Sequence, residues 1–446
     1  MAKLPLEGIR VAEITVIYAG PFATMLLADW GAEVIRVESR QHFQVSTRAH
    51  AAKIPKAFVD MFAPGGYAAY CRANYDETKG AWNRWALFNA HARNKLSMTV
   101  DMTRPEGKDI FLRLIAKTDI LVESNPPLVK QSLGITYDVL KGVKPDIILV
   151  SMPGFGQYGP YRQYRVLGAH EEGFIGHTSL RGYRDMDVGT NVTLYHTDEA
   201  GGATGAFAAL TALYYRNRTG KGQFIDMSQA EATIPHMGEA IMDYTMNGRL
   251  HQKMGNRDIH GAVQGCYLCK GAEPGRLTPP GEDKWVNITI FNDEQWEGFC
   301  RALGNPEWTK DERFATQLER LRHHDELDKL IGQWTRQHDH YAVMYALQRE
   351  GVPAGPVLDD RSAYNDPHMK ERGFFDKVTH AECGTYLHPG PAWRMSKTPN
   401  HLRLPPVRLG EHNEYVYKKV IGVSDEEYAK LESAGHIGMA YVPEIP

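Results

Sequence analysis

The sequence predicts an α/β fold: a parallel sheet covered by helices, with a smaller second domain attached. Short apolar runs alternate with helical stretches through the first 150 residues. Gly, Pro and Asn punctuate the junctions between them, as strand–helix–strand units require. From about Met227 to Gly332 the pattern changes to helices, a Gly/Pro-rich loop and an isolated strand. The expected organisation is therefore 1–226 for the N-terminal part of the large domain and 227–332 for the small domain. Residues 333–446 form a return linker and the C-terminal part of the large domain.

Arg10–Thr15 (RVAEIT) reads as a buried strand. AGPFATMLLADWG follows, with Pro21 suited to the first turn of a helix and Gly31 to its stop. Glu33–Glu38 (EVIRVE) is the second strand and KLSMTVDM the third. Between Arg40 and Asn94 lies an insertion rich in aromatics: Phe43, Phe58, Phe62, Tyr67, Tyr70, Tyr75, Trp82 and Trp85. It suits either a pocket for a bulky acyl group or packing between subunits. Arg104–Thr118 has helical periodicity, and DILVES and DIILVSM are further strands. Gly201–Arg216 reads as a helix with small residues on one side and bulky ones on the other, followed by the strand FIDMS. WVNITI is the strand of the small domain, and GVPAGPVLD (Gly351–Asp359) looks like a return to the large one.

Composition excludes several classes. The 446 residues are 42% hydrophobic and 24% charged, with a formal charge of -3. That balance gives no electrostatic case for nucleic acid or an anionic membrane. No run approaches the ~20 apolar residues of a membrane span. The start of the chain has no apolar signal core, and five cysteines suit a reducing cytoplasm. Cys266 and Cys269 form a lone CxxC that reads as a buried strand rather than a redox or zinc site. His323, His324, His338 and His340 lack ligand spacing, so no metal is expected.

In TDEAGG, Asp198 and Glu199 stand where a polar stretch enters the small-residue helix. The modest reading is an N-cap followed by a first-turn acid. The reactive reading is a carboxylate kept ionised by the helix terminus and available as a nucleophile.

Several segments together resemble the class III CoA-transferases, the family of formyl-CoA:oxalate and carnitine CoA-transferases. They are LEGIRVAEI, YAGPFATMLLADWGAEVIRVE, NKLSMTVDMTRPEGKDIF, GFGQYGPY, TDEAGGATGAFAALTALYYRNRTGKGQFIDMS, GVPAGPV and LGEHNEYV, spread in order over nearly the full chain. The resemblance implies a Rossmann-like large domain, a smaller α+β domain and an interlocked dimer. It implies a catalytic aspartate at Asp198 and leaves Glu199 as a helix-start acid. It places Tyr18 and Ala19 in the loop that meets CoA and the reacting centre. Arg36 and Arg40, around the end of the second strand, become candidates for CoA phosphates, although an exposed arginine is more often only solvated. Lys130 stands near Ser132, where the family usually has an arginine against CoA. The family's glycine run over the active site is reduced here to HGAVQG, leaving Gly261 and Gly265. Gly168 stands where the family commonly has an acid or amide. Glu171 or Glu172 could substitute for that acid from one helical turn away, although a solvated helix face is the favoured reading of both; His170 reads as structural or exposed.

The expected activity is transfer of CoA from an acyl-CoA, with succinyl-CoA one donor, to a carboxylic acid. No cofactor is expected to be bound permanently, and the CoA thioester is itself the substrate. The partners are the acyl-CoA, the acid, and a second subunit in a homodimer or a heterodimer with a paralogue. A dicarboxylate or aromatic acceptor of the benzylsuccinate type is suggested by the aromatic insertion together with the overall likeness to the carnitine and benzylsuccinate branch of the family. Two alternatives stay open: an α-methylacyl-CoA racemase-like isomerase, and a non-catalytic subunit supporting a catalytic paralogue.

Overall fold

The computed structural model describes residues 3–57, 81–191, 194–271 and 284–445. The chain divides into two compact units. Unit 1 comprises Met1–His177, Thr193–Arg249 and Phe374–Pro446; unit 2 comprises Thr178–Val192 and Leu250–Gly373.

Unit 1 is built on six parallel strands: β1 (Arg10–Ile14), β2 (Glu33–Glu38), β3 (Lys95–Thr99), β4 (Ile120–Glu123), β5 (Ile148–Ser151) and β6 (Phe224–Asp226). Their order is β3-β2-β1-β4-β5-β6, the doubly wound arrangement whose switch point lies between β1 and β4. Alternation along each strand feeds two separate cores. Val11, Val34, Ile120, Val122, Ile148 and Val150 face one side of the sheet. Ala12, Ile35, Val37, Leu121 and Leu149 face the other.

The helices of unit 1 follow from the same pattern. Among them are α1 (Ala19–Asp29), α2 (Ala86–His91), α3 (Pro105–Ile115), α4 (Pro127–Leu133), α5 (Tyr137–Val143), α6 (Gly168–Phe174), α7 (His196–Thr219) and α8 (Gln229–Thr233). On the first side of the sheet, α1 contributes Ala19, Ala23 and Leu27, and α7 contributes Ala206, Ala209 and Leu213. On the second side, α3 packs Ile110, Phe111 and Leu114 with Val416, Tyr417 and Ile421 of the C-terminal region. The small face of α7 is the buried one. A Cβ on Gly202 would lie 2.7 Å from the Ala19 carbonyl oxygen and 2.6 Å from the Phe22 ring, so the two backbones meet through glycine. Gly220, at φ +71°, ends α7 in the left-handed conformation that glycine tolerates.

Unit 2 is a three-stranded antiparallel sheet, β7 (Gln264–Leu268), β8 (Trp285–Thr289) and β9 (Ala354–Val357). Its core joins Val286 and Ile288 to Trp296, Phe299, Phe314, Leu327 and Leu347 of the surrounding helices. Cys266 lies on β7 and Cys269 just beyond it; both are free thiols. The segment GVPAGPVLD does not return to the large domain: β9 pairs with β8, because the small sheet needs an edge partner for that strand. The compact units also depart from breaks at 227 and 333. Met227 and Ala206 share one apolar cluster, and α8 follows β6 within unit 1. Among the described residues, no helix is long and apolar enough to cross a membrane.

Candidate active site

The α7 helix begins at His196, two residues before the aspartate, because Tyr195 takes a left-handed φ of +55° and turns the chain into the helix. Asp198 is therefore the third helical residue rather than the cap. It is 6% exposed. The backbone N–H of Ala19, the first residue of α1, donates to its carboxylate. Its Oδ2 has no hydrogen-bond partner. Two helix starts thus converge on one carboxyl group, and Gly202 sets their close approach.

The third element at this point is α6. A Cβ on Gly168 would lie 1.9 Å from Asp198 Oδ2, so the missing side chain makes the space that the carboxylate occupies. The Thr197 hydroxyl donates to the Gly168 carbonyl at 3.1 Å. One turn along α6, Glu171 is 2% exposed, with Oε2 unpartnered. A Cβ on Gly154 would lie 2.5 Å from Glu171 Oε1, so a second glycine houses the second acid. Glu172 is 1% exposed and accepts the His196 backbone N–H at 2.6 Å, holding the entry to α7.

The expected solvated face of α6 is corrected here, because both glutamates are buried. His170 alone keeps that reading: it is exposed and its Nδ1 accepts the Leu167 N–H at 3.2 Å. Glu199 is half exposed and stands 3.8 Å from His91, consistent with a helix-start acid.

Burial dominates the electrostatics. It pushes Asp198 up to about 7, against the Ala19 amide and with help from Glu199 and Glu172. Burial and the Asp198 charge push Glu171 up to about 8. The expectation that a helix terminus keeps Asp198 ionised is therefore corrected. Partial charges at the terminus do not offset the loss of water around the anion.

Asp198, Glu171, Gly168, Tyr18 and Ala19 line one cavity of about 180 Å³. Tyr18 sits between the rings of His91 and Tyr195, at 5.3 and 5.5 Å. The aromatic insertion supplies Ser46, His50, Trp85 and Leu87 to the wall. Trp82 and Phe43 pack instead on Tyr441. Phe58, Phe62, Tyr67, Tyr70 and Tyr75 lie outside the described residues.

The structure does not bring the expected phosphate-binding cations to this cavity. Arg36 is 1% exposed and ion-paired with Glu13 and Glu38, and it donates to the Thr15 carbonyl. Its place in the middle of the sheet corrects its assignment to CoA. Arg40 donates to the carbonyls of Ala440 and Ile437, at 2.7 and 2.9 Å, and so fastens the C-terminal segment. Lys130 is 5% exposed, 3.4 Å from Glu123, and lies over the Phe224 ring. Gly261 belongs to unit 2, where it is buried beside Gln264. The sequence reading left Glu171 on a solvated face. Local pattern carried no signal for its burial, because the space beside its Oε1 is left by Gly154, on a loop before α6.

Comparison with known proteins places this geometry in a family. Residues 6–413 match the family model described as CoA-transferase family III. Succinyl-CoA–D-citramalate CoA-transferase of Chloroflexus aurantiacus is 29% identical over 96% of this chain and 97% of its own. The beta subunit of succinyl-CoA–L-malate CoA-transferase from the same organism is also 29% identical, over 96% and 97%. Formyl-CoA:oxalate CoA-transferase of Rhodopseudomonas palustris is 28% identical over 96% of both chains. Among solved structures, a CAIB/BAIF family protein from Brucella suis aligns with a TM-score of 0.77 at 28% identity, covering 94% of this chain and 100% of that one.

Proposed function

Because the chain belongs to CoA-transferase family III, we propose that it moves CoA from an acyl-CoA to a carboxylic acid through Asp198. The single observation that carries this reading is the Asp198 carboxylate. One oxygen is held by the Ala19 amide, while Oδ2 is unpartnered and the residue lines the cavity.

The steps follow from carboxylate chemistry. Ionised Asp198 attacks the thioester carbonyl; the C–S bond breaks, CoA leaves as thiolate, and a mixed anhydride remains. The thiolate then attacks the aspartyl carbonyl, releasing the first acid and leaving an aspartyl-CoA thioester. The acceptor carboxylate attacks that thioester and regenerates thiolate and a new anhydride. Attack of the thiolate on the acceptor's carbonyl yields the new acyl-CoA and frees Asp198. Gly168 leaves room for the enlarged side chain, and the Ala19 amide fixes the orientation of the carboxylate. Tyr18 forms the wall beside Ala19.

For the racemase alternative, His170 is not the partner base, since it is exposed and tied to the backbone of its own helix. A dimer, homomeric or with a paralogue, is part of the proposal. Its support is the naming of two relatives as alpha and beta subunits of one CoA-transferase. A cytoplasmic setting, where acyl-CoA is handled, is likewise proposed; four described cysteines are free thiols.

The test is to incubate the protein with acyl-CoA thioesters, quench with hydroxylamine or borohydride, and map the modified peptide. A mark on Asp198, lost in Asp198→Ala together with transfer, is the expected result. Full transferase activity in Asp198→Ala overturns the assignment. Exchange of the α-hydrogen with solvent and no covalent mark would point to the isomerase.

A further inference from the structure

We propose that the acyl group held in the Asp198 cavity is uncharged at its far end, a monocarboxylic apolar or aromatic acyl unit rather than a dicarboxylic one. This rests on the reading of the cavity as the acyl site. The relatives named above act on citramalate, malate and oxalate, each of which carries a second carboxylate that a site must accommodate.

The walls here suit something else. Val16, Ile17, Leu87, Trp85, Val166 and Leu167 form the apolar lining. The insertion between Arg40 and Asn94 supplies Trp85 and Leu87, so this part of the wall belongs to the extra chain. Among the described residues the lining contains no arginine or lysine. Three buried cations of unit 1 are committed elsewhere: Arg36 to Glu13 and Glu38, Arg48 to Glu38, and Lys130 to Glu123. His50 is the one base on the described wall, and its ring packs edge-on against Trp85 at 4.9 Å.

The charged groups that do face the cavity are acids, Asp198 and Glu171, with Glu172 beside them on α6. Both lining acids are displaced toward their neutral forms, which is the behaviour of a site with no compensating positive charge. Among the described lining residues, a further carboxylate brought in on a substrate would meet the same desolvation without a cationic partner. The volume is consistent with a ring-sized group: about 180 Å³, against about 150 Å³ for an engineered apolar cavity that binds benzene.

The experiment compares single-turnover labelling of the full chain by butyryl-CoA and 3-phenylpropionyl-CoA with that by succinyl-CoA and malonyl-CoA. The neutral thioesters are expected to label at least about tenfold faster at equal concentration, the discrimination that an unpaired charge imposes. Leu87→Arg, or Val16→Arg if the first does not fold, is expected to raise succinyl-CoA relative to butyryl-CoA. Trp85→Ala is expected to slow the phenylpropionyl thioester more than the butyryl one. Succinyl-CoA labelling Asp198 as fast as butyryl-CoA overturns this inference and leaves the transferase reading standing. Labelling by none of the four overturns the transferase reading, and this inference falls with it.

Discussion

Replacing Gly168 by alanine tests the geometry of the site with one methyl group. The added Cβ would lie 1.9 Å from Asp198 Oδ2, whereas real Cβ atoms keep about 3.0 Å from their neighbours. The carboxylate must give way by about 1 Å, and its bond to the Ala19 amide turns with it. A displacement of that size at a reacting atom costs on the order of 100-fold in rate. Overpacking at such a point also costs roughly 1–3 kcal/mol of stability. Backbone strain does not confuse the result, because Gly168 opens α6 without a positive φ. Gly173 on the same helix is the control: its Cβ would meet nothing within 4 Å. Gly173→Ala is expected to be neutral or to stabilise by about 0.5–1 kcal/mol. The assay is the rate at which acyl-CoA labels Asp198, with circular dichroism to confirm folding. A folded Gly168→Ala protein that labels within about threefold of the wild type, ~0.6 kcal/mol in the barrier, refutes the reasoning.

Labelling is expected to rise with pH through about 7, because the reactive form is the Asp198 anion; a flat profile from pH 6 to 8 would contradict this. The same shift sets a stability trend. Asp198 is held above its usual value near 3.8, so the stability of its protonated form is complete below that pH and is lost as pH rises toward 7. Asp198→Asn should therefore melt higher than the wild type at pH 8, with the difference vanishing near pH 4. Arg36→Ala should lower the melting temperature or prevent folding, by ~3–5 kcal/mol, since it strips one cation from two buried glutamates. Against the cost of burial, Lys95 and Arg36 hold Glu13 down at about 2. A folded Arg36→Ala protein of wild-type stability, with weakened CoA binding, would restore the ligand role.

The sheet was legible because each strand is a local apolar run with punctuation on both sides. The start of the α7 helix near Asp198 was legible because polar chain gives way there to a run of small residues. What lay beyond reach was anything set by pairing across the chain. EVIRVE does not say that Arg36 lies in register with Glu13 of β1, and only that neighbour turns a plausible phosphate ligand into a buried tie. GAHEEGF carries two adjacent acids, which local pattern assigns to solvent. Their burial depends on Gly154, on a loop some fifteen residues earlier, and on the backbone of α7. Gly261 lies in unit 2, and the strand of GVPAGPVLD belongs to that unit too, since edge pairing is a property of the folded sheet.

The glycine contact between α1 and α7 has a bearing on how such a protein diversifies. Gly202 and the Ala19 amide lie in helices of the doubly wound core, whereas Ser46, His50, Trp85 and Leu87 come from the 41–93 insertion. The groups proposed to make and break bonds and the groups proposed to choose the acyl unit are thus encoded in separate stretches of chain. Exchange of the insertion between relatives would trade one substrate range for another while the reactive carboxylate kept its setting, a form of modularity written into a single polypeptide.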